Sequence, residues 1–394
     1  MHDLTTSGFF RIIFTLLCFL SVPSESLYSQ CDWTQRADFG GADRYESTGY
    51  AIGNKGYIGL GSTTTQIYYK DFWEYRPATD TWAQVADFPG AARSGCFSFV
   101  INGLAYVGAG KSSVGAVWTY YSDFYVYDQS TNSWTQLNNL PFTVKSSTYF
   151  TINGKGYVLC GVENGAVTDK VWEYNPATDT WTQKSNFPGG ARAGMLAFTT
   201  SDRAFVGTGG NMTGSTAYND FWEYNYANDT WTQKADFTGP TRNFAVGVAL
   251  QEKLCMIMCG RQTTTNNYLN DVWSYDITND TWAQIQDFPG SARYASVAFK
   301  VNSSKAYLGT GSPGVGITVK DYWEFTPGSA NIPVTTSNAP VCVGSALNLY
   351  ASAIPGATYN WTGPNGFTST QQNPVVSSSA STAMSGTYYV TSSL

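Results

Sequence analysis

The sequence predicts an all-β chain: six similar four-stranded units followed by a smaller β module. Three observations carry that expectation. The stretch "DFWEYRPATDTWAQVADFPGAAR" beginning at Asp71 returns as "VWEYNPATDTWTQKSNFPGGAR" from Val171 and as "VWSYDITNDTWAQIQDFPGSAR" from Val272. Two aromatic markers each recur six times at a period of about 50 residues, as expected of a propeller or a solenoid. They are Trp33, Trp82, Trp134, Trp181, Trp231 and Trp282, and Trp73, Tyr125, Trp172, Trp222, Trp273 and Trp323. Finally, 16% of the 394 residues are aromatic and only 13% charged, which suits an aromatic-rich β core.

Each unit reads as strands. "SGCFSFVI" is rich in β-formers and ends at Asn102-Gly103, a two-residue hairpin signal. "LAYVGAG" follows, then a loop of variable length, then "DFYVYD", in which Tyr125 and Tyr127 share one face. A Gln-Ser-Thr-Asn turn leads to "SWTQL". Such an antiparallel sheet buries both faces only when sheets stack radially. The chain opens on a fourth-type strand, "DWTQRA", and the array ends on a third-type strand, "DYWEF". The Trp33 strand is therefore expected to complete the last sheet, closing a six-bladed ring and removing two edges.

Recurring "GYI" and "AYV" strands that end in Gly, then "WEYNPATDTW", then "FPGGAR", resemble the Kelch-repeat β-propellers, which include the central domain of galactose oxidase. The resemblance spans roughly Asp32 to Phe325. It departs at the family's double glycine, whose first position holds Leu60, Ala109, Cys160, Thr208, Cys259 and Thr310. The second glycine is kept in every unit, where a backbone without Cβ is expected to be needed. The resemblance implies a partner-binding loop face. The copper chemistry of galactose oxidase is excluded, because its site needs two histidines and the only one here is His2. No metal or other cofactor is expected.

Outside the propeller (30–328), residues 1–29 read as an export signal, with Arg11 before the short apolar run "IIFTLLCFLSV". A secreted or cell-surface location follows. No later stretch is apolar enough to cross a bilayer, and six cysteines outside the signal show no disulfide framework. Residues 329–339 read as a linker. Residues 340–394 resemble the immunoglobulin-like, PKD-type modules: "SGTYYV" looks like a tyrosine corner centred on Tyr388. That module reads as incomplete and the whole as a monomeric part of a longer polypeptide. The net charge of −6, with no basic run, argues against nucleic-acid partners.

Two sets of candidate site residues emerge. "FPGAAR" and its cognates put Arg44, Arg93, Lys145, Arg192, Arg242 and Arg293 before each innermost strand, a ring able to hold a carboxylate or simply to tie the loop down. The loops joining second and third strands differ in every unit and carry Tyr68, Trp118, Tyr120, Tyr218 and Tyr268, with Glu163 and Arg261 as charged candidates. Asp80, Asp179, Asp229 and Asp280 are expected to be turn residues. The expected function is a non-catalytic scaffold that binds an extracellular protein or glycan through these loops. The alternative is a carbohydrate-active enzyme of the mutarotase or sialate-isomerase kind, with Glu163, Arg261 and Glu46 as its acid–base candidates.

Overall fold

The computed structural model describes residues 18–20 and 31–393, apart from 212–215, 252–253, 263–264, 266, 303, 328–334 and 354–356. The described chain divides into two compact units: residues 31–327, and residues 328–394 together with the N-terminal segment.

The larger unit holds six four-stranded antiparallel sheets. Blade one is Thr48–Ile52, Lys55–Gly59, Phe72–Arg76 and Thr81–Val85, running outward in that order. The innermost strands are Thr48–Ile52, Phe97–Ile101, Thr148–Ile152, Leu196–Thr199, Val246–Gln251 and Val297–Asn302. Each touches the next, and the sixth touches the first, so they enclose an axis. Asp32–Arg36 pairs antiparallel with Tyr322–Thr326, setting Trp33 opposite Phe325 and Gln35 opposite Trp323. The ring therefore closes on its first strand, with no sheet edge left over between the ends of the array.

Aromatic rings fill the space between blades. Tyr75 of blade one meets Tyr322 of blade six at 4.7 Å, edge to face, and Phe124 of blade two meets Tyr174 of blade three at 4.9 Å. The turn aspartates add a polar tie across the same seams. Asp80 accepts the Tyr75 hydroxyl of its own blade at 2.7 Å and the Ala37 amide of the preceding blade at 3.0 Å. Asp229 and Asp280 repeat this with Tyr224 and Ser185, and with Tyr275 and Ala235. They are turn residues, with φ between +50° and +55°, and inter-blade clamps as well.

The double-glycine departure has a conformational cost. Leu60, Ala109, Cys160, Thr208, Cys259 and Thr310 all sit at φ between +55° and +61°, as the glycine after each does at a larger positive value. A non-glycine residue there is uphill by about 1–2 kcal/mol. At Gly61, a Cβ would stand 2.9 Å from the Tyr45 carbonyl, so that position has no such latitude.

In the smaller unit, Thr335–Ser337, Leu347–Ala351 and Val375–Ser377 form one sheet, and Thr358–Gly363, Phe367–Ser369 and Gly386–Ser393 belong to another. Leu347, Leu349, Trp361 and Tyr388 share its core, and the Tyr388 hydroxyl donates to the Met384 carbonyl at 2.9 Å. Cys18–Leu20 pairs in parallel with the start of Gly386–Ser393, while most of the expected export signal and part of the expected linker lie outside the described residues. Among the described residues no helix is long and apolar enough to cross a membrane. Cys96, Cys160 and Cys259 are buried and unbridged, and burial pushes the Cys96 and Cys259 thiols up to about 12.

Candidate functional site

The arginines are not where a ligand can reach them. Arg44, Arg93, Arg192, Arg242 and Arg293 are fully buried. Each grips an aspartate at the entry to its blade's third strand. Arg44 reaches the two carboxylate oxygens of Asp71 at 2.7 and 2.9 Å and the Leu60 carbonyl at 2.9 Å. Arg242 holds Asp271 through both oxygens at 2.6 Å. The Trp73 and Trp273 indoles donate to the same aspartates. Burial pushes Asp71 up, but the Arg44 hydrogen bonds and charge outweigh it and hold the carboxyl below its usual range. Aromatic rings roof these guanidiniums: Tyr69 over Arg44 at 4.2 Å, Tyr121 over Arg93 at 3.7 Å and Tyr218 over Arg192 at 3.8 Å. Tyr218 is thus scaffold too, and the arginine ring expected to face a ligand is a structural layer.

Lys145 is not the sixth member of that layer. The carbonyls of Arg93, Arg192, Arg242, Arg293 and Arg44 accept the amides of Gly61, Gly161, Gly209, Gly260 and Gly311. The remaining glycine, Gly110, donates to Val144. Blade three therefore has Val144 in the arginine position and Lys170 in the aspartate position, and Lys170 pairs with Glu163 at 2.9 Å. That contact occupies Glu163, and no ion pair joins it to Arg261 among the described residues. Lys145 falls one residue later, level with Tyr45, Ser94, Ala193, Asn243 and Tyr294. Each of these bridges the residue after a repeat glycine: Ser62, Lys111, Val162, Gly210, Arg261 and Ser312. These two rows form the channel mouth.

Beneath them runs a closed belt. The amide of Glu46 donates to Ala295, Gly95 to Glu46, Ser146 to Gly95, Gly194 to Ser146, Phe244 to Gly194 and Ala295 to Phe244, all at 2.8–3.1 Å. All six belt residues have positive φ. The belt borders a cavity at the head of the channel, to which Glu46, Ser47, Ser146, Ser147 and Ser296 bring polar atoms. Glu46 is the only charged residue of the belt, and its carboxylate accepts the Ser94 hydroxyl at 2.9 Å.

Ser94 also exchanges both backbone hydrogen bonds with Lys111, each 2.9 Å. Lys111 opens a hairpin, Lys111–Val114 with Val117–Tyr120, whose Trp118 ring lies 3.9 Å from the Lys111 ammonium and 5.7 Å from that of Lys145. Ser113 of the hairpin bonds to Tyr68 and Gln66 of the neighbouring loop, so Tyr68 props the hairpin. Tyr120 stands opposite Lys111 in the ladder. Burial pulls Lys111 down to about 8; the Glu46 charge opposes that and the nearby Lys145 adds to it. On the far side of the mouth Tyr268 stacks on Tyr294 at 5.5 Å, and Arg261 lies 6.0 Å from the Tyr294 ring.

The mouth thus gathers Glu46, which lines the cavity, with Lys111, Trp118, Lys145, Arg261 and Tyr268 on the rows and loops beside it, and leaves the five arginines, Tyr218 and Glu163 in structural roles. Sequence reasoning missed Lys111 and Ser94. The available signal was register: Lys111 and Arg261 each directly follow a repeat glycine, where the other blades place Ser, Val or Gly.

Residues 43–172 match the family model described as NANM, N-acetylneuraminate epimerase. No curated protein matches the chain. Among solved structures, one titled "Structure of YjhT" matches with a TM-score of 0.63 at 19% identity, over 73% of this chain and 95% of that one, a likeness of fold. The family match corrects the expectation of a non-catalytic binding scaffold: the matching family is named for an enzyme that acts on a sugar acid, so the carbohydrate-active alternative has the better support.

Proposed function

We propose that the propeller is a carbohydrate-active enzyme that interconverts stereoisomers of N-acetylneuraminate or a closely similar sugar, at the channel mouth around Glu46. One observation carries this reading. The segment that matches the epimerase family, 43–172, is the segment that brings Glu46, Ser94, Lys111, Trp118 and Lys145 to that mouth.

The chemistry asks little of the protein. Anomer exchange needs the anomeric hydroxyl to lose its proton as the ring C–O bond breaks, and the released ring oxygen to gain one. Glu46 takes the first proton and returns it to the ring oxygen. The open chain then rotates and recloses on its other face by the reverse steps. Trp118 and the tyrosines offer flat apolar surface for a pyranose ring. Around this core, residues 1–29 act as an export signal and residues 340–394 as an immunoglobulin-like spacer; an exported protein beginning at Gln30 would support the first of these.

The test is exchange spectroscopy by NMR on N-acetylneuraminate. The wild type should accelerate anomer exchange over buffer, and Glu46→Gln should lose at least about a hundredfold of that acceleration. A wild type no faster than buffer overturns the reading.

A further inference from the structure

Lys111 and Lys145 pose an electrostatic problem that the fold leaves unsolved. Both residues are more than nine-tenths buried, at 8% and 9% exposure. They come from adjacent blades yet share the face of one indole, Trp118. Like charges so placed repel each other, and the repulsion registers on Lys111, where burial lowers the ammonium most and the Glu46 charge, beyond salt-bridge distance, offsets only part of it. Among the described residues no lysine ion pair involves either ammonium, and residues 212–215, 263–264 and 266 include no acid in sequence. The other buried cations behave differently: each of the five arginines has its own aspartate. Buried like charges without counter-ions are costly, and an anion bound between them removes the cost.

We propose that Lys111 and Lys145, roofed by Trp118, form the subsite that holds the carboxylate of an acidic monosaccharide and so select it over neutral sugars. This rests on the reading of the mouth as a sialate site and adds the residues that sense the substrate's charge. A monoanion fits better than a phosphate dianion, because the Glu46 carboxylate stands in the same mouth and its charge is felt at Lys111. Glu46 does the proton transfer, while the lysine pair binds and orients.

The experiment uses isothermal titration of the full chain carrying Glu46→Gln, so that turnover does not intrude. The probes are N-acetylneuraminate, neutral N-acetylmannosamine and inorganic phosphate. The Glu46→Gln protein should bind the sugar acid at least tenfold more tightly than the neutral sugar, and phosphate, titrated into the chain with Glu46 intact, should bind at least tenfold more weakly than the sugar acid. Adding Lys111→Met or Lys145→Met should weaken the sugar acid at least tenfold and change the neutral sugar by less than threefold. Each methionine variant alone should also raise the melting temperature of the ligand-free protein, a readout independent of any ligand. Equal affinity for acid and neutral sugar, preference for phosphate, unchanged binding in both lysine variants, or a lower melting temperature in both would each overturn the subsite. A selective lysine pair in a protein that fails to exchange anomers would instead leave the subsite standing and sink the catalytic reading.

Discussion

Two adjacent rows of residues, one position apart in every blade, have opposite characters. The row at 44, 93, 192, 242 and 293 is arginine each time, buried each time and paired each time with an aspartate. The row at 45, 94, 145, 193, 243 and 294 reads Tyr, Ser, Lys, Ala, Asn and Tyr, and borders the mouth. Repetition marks what every blade needs in order to stand next to its neighbours. Variation one residue later marks what only one face of the ring needs. Blade three sharpens the contrast, because there both partners of the scaffold pair change together, to Val144 and Lys170.

The largest expected effect comes from breaking the uniform row. Arg242→Ala strands the Asp271 carboxylate, 13% exposed, without its partner and should cost about 3–5 kcal/mol in denaturant unfolding. Lys145→Ala, one row away in character, should cost nothing or stabilise. A small effect at Arg242 would mean that the row is not scaffold.

Acid is the next lever. Asp71 and Asp321 have carboxyls held below their usual range in the folded state: burial raises them, and Arg44 and Arg293 more than reverse it. Their contribution is therefore complete above the unfolded value of about 3.9 and is lost as pH falls through the folded one. Arg44→Ala should flatten the loss of stability below about pH 4 relative to wild type. An unchanged acid limb would contradict the pairing.

Smaller still, Asp229→Ala removes the Tyr224 and Ser185 hydrogen bonds across one seam and should cost about 1–2 kcal/mol. Smallest, Ala295→Gly relieves a positive φ of 51° in the belt and should stabilise by up to about 1 kcal/mol. Opposite the variable row, binding of a sugar acid should hold steady below pH 8 and weaken up to about tenfold per unit above it, because burial pulls Lys111 down to about 8 and a neutral amine cannot hold a carboxylate. A flat profile to pH 9.5 would remove Lys111 from the site.

Much of the architecture was legible in the sequence, because a 50-residue period, hairpin signals and an orphan first strand are local features that only a closed ring reconciles. The site was legible as a face but not as a set of residues. The arginine partners sit 27 to 30 residues downstream, two before each marker aromatic, and only folding shows that the two motif positions meet. Lys145 looked like a sixth arginine because "FTVKSS" is offset by one from "GAARSG", an offset that the Gly110–Val144 hydrogen bond exposes. Lys111 was not singled out, since burial beside a second lysine has no signature in a linear sequence.

The most direct test of the central claim is a crystal structure of the Glu46→Gln chain soaked with N-acetylneuraminate. The account predicts the sugar at the channel mouth, its carboxylate between the Lys111 and Lys145 ammoniums and its anomeric carbon facing residue 46. A sugar seated at the opposite end of the channel beside Lys300, or on the smaller unit, would contradict it.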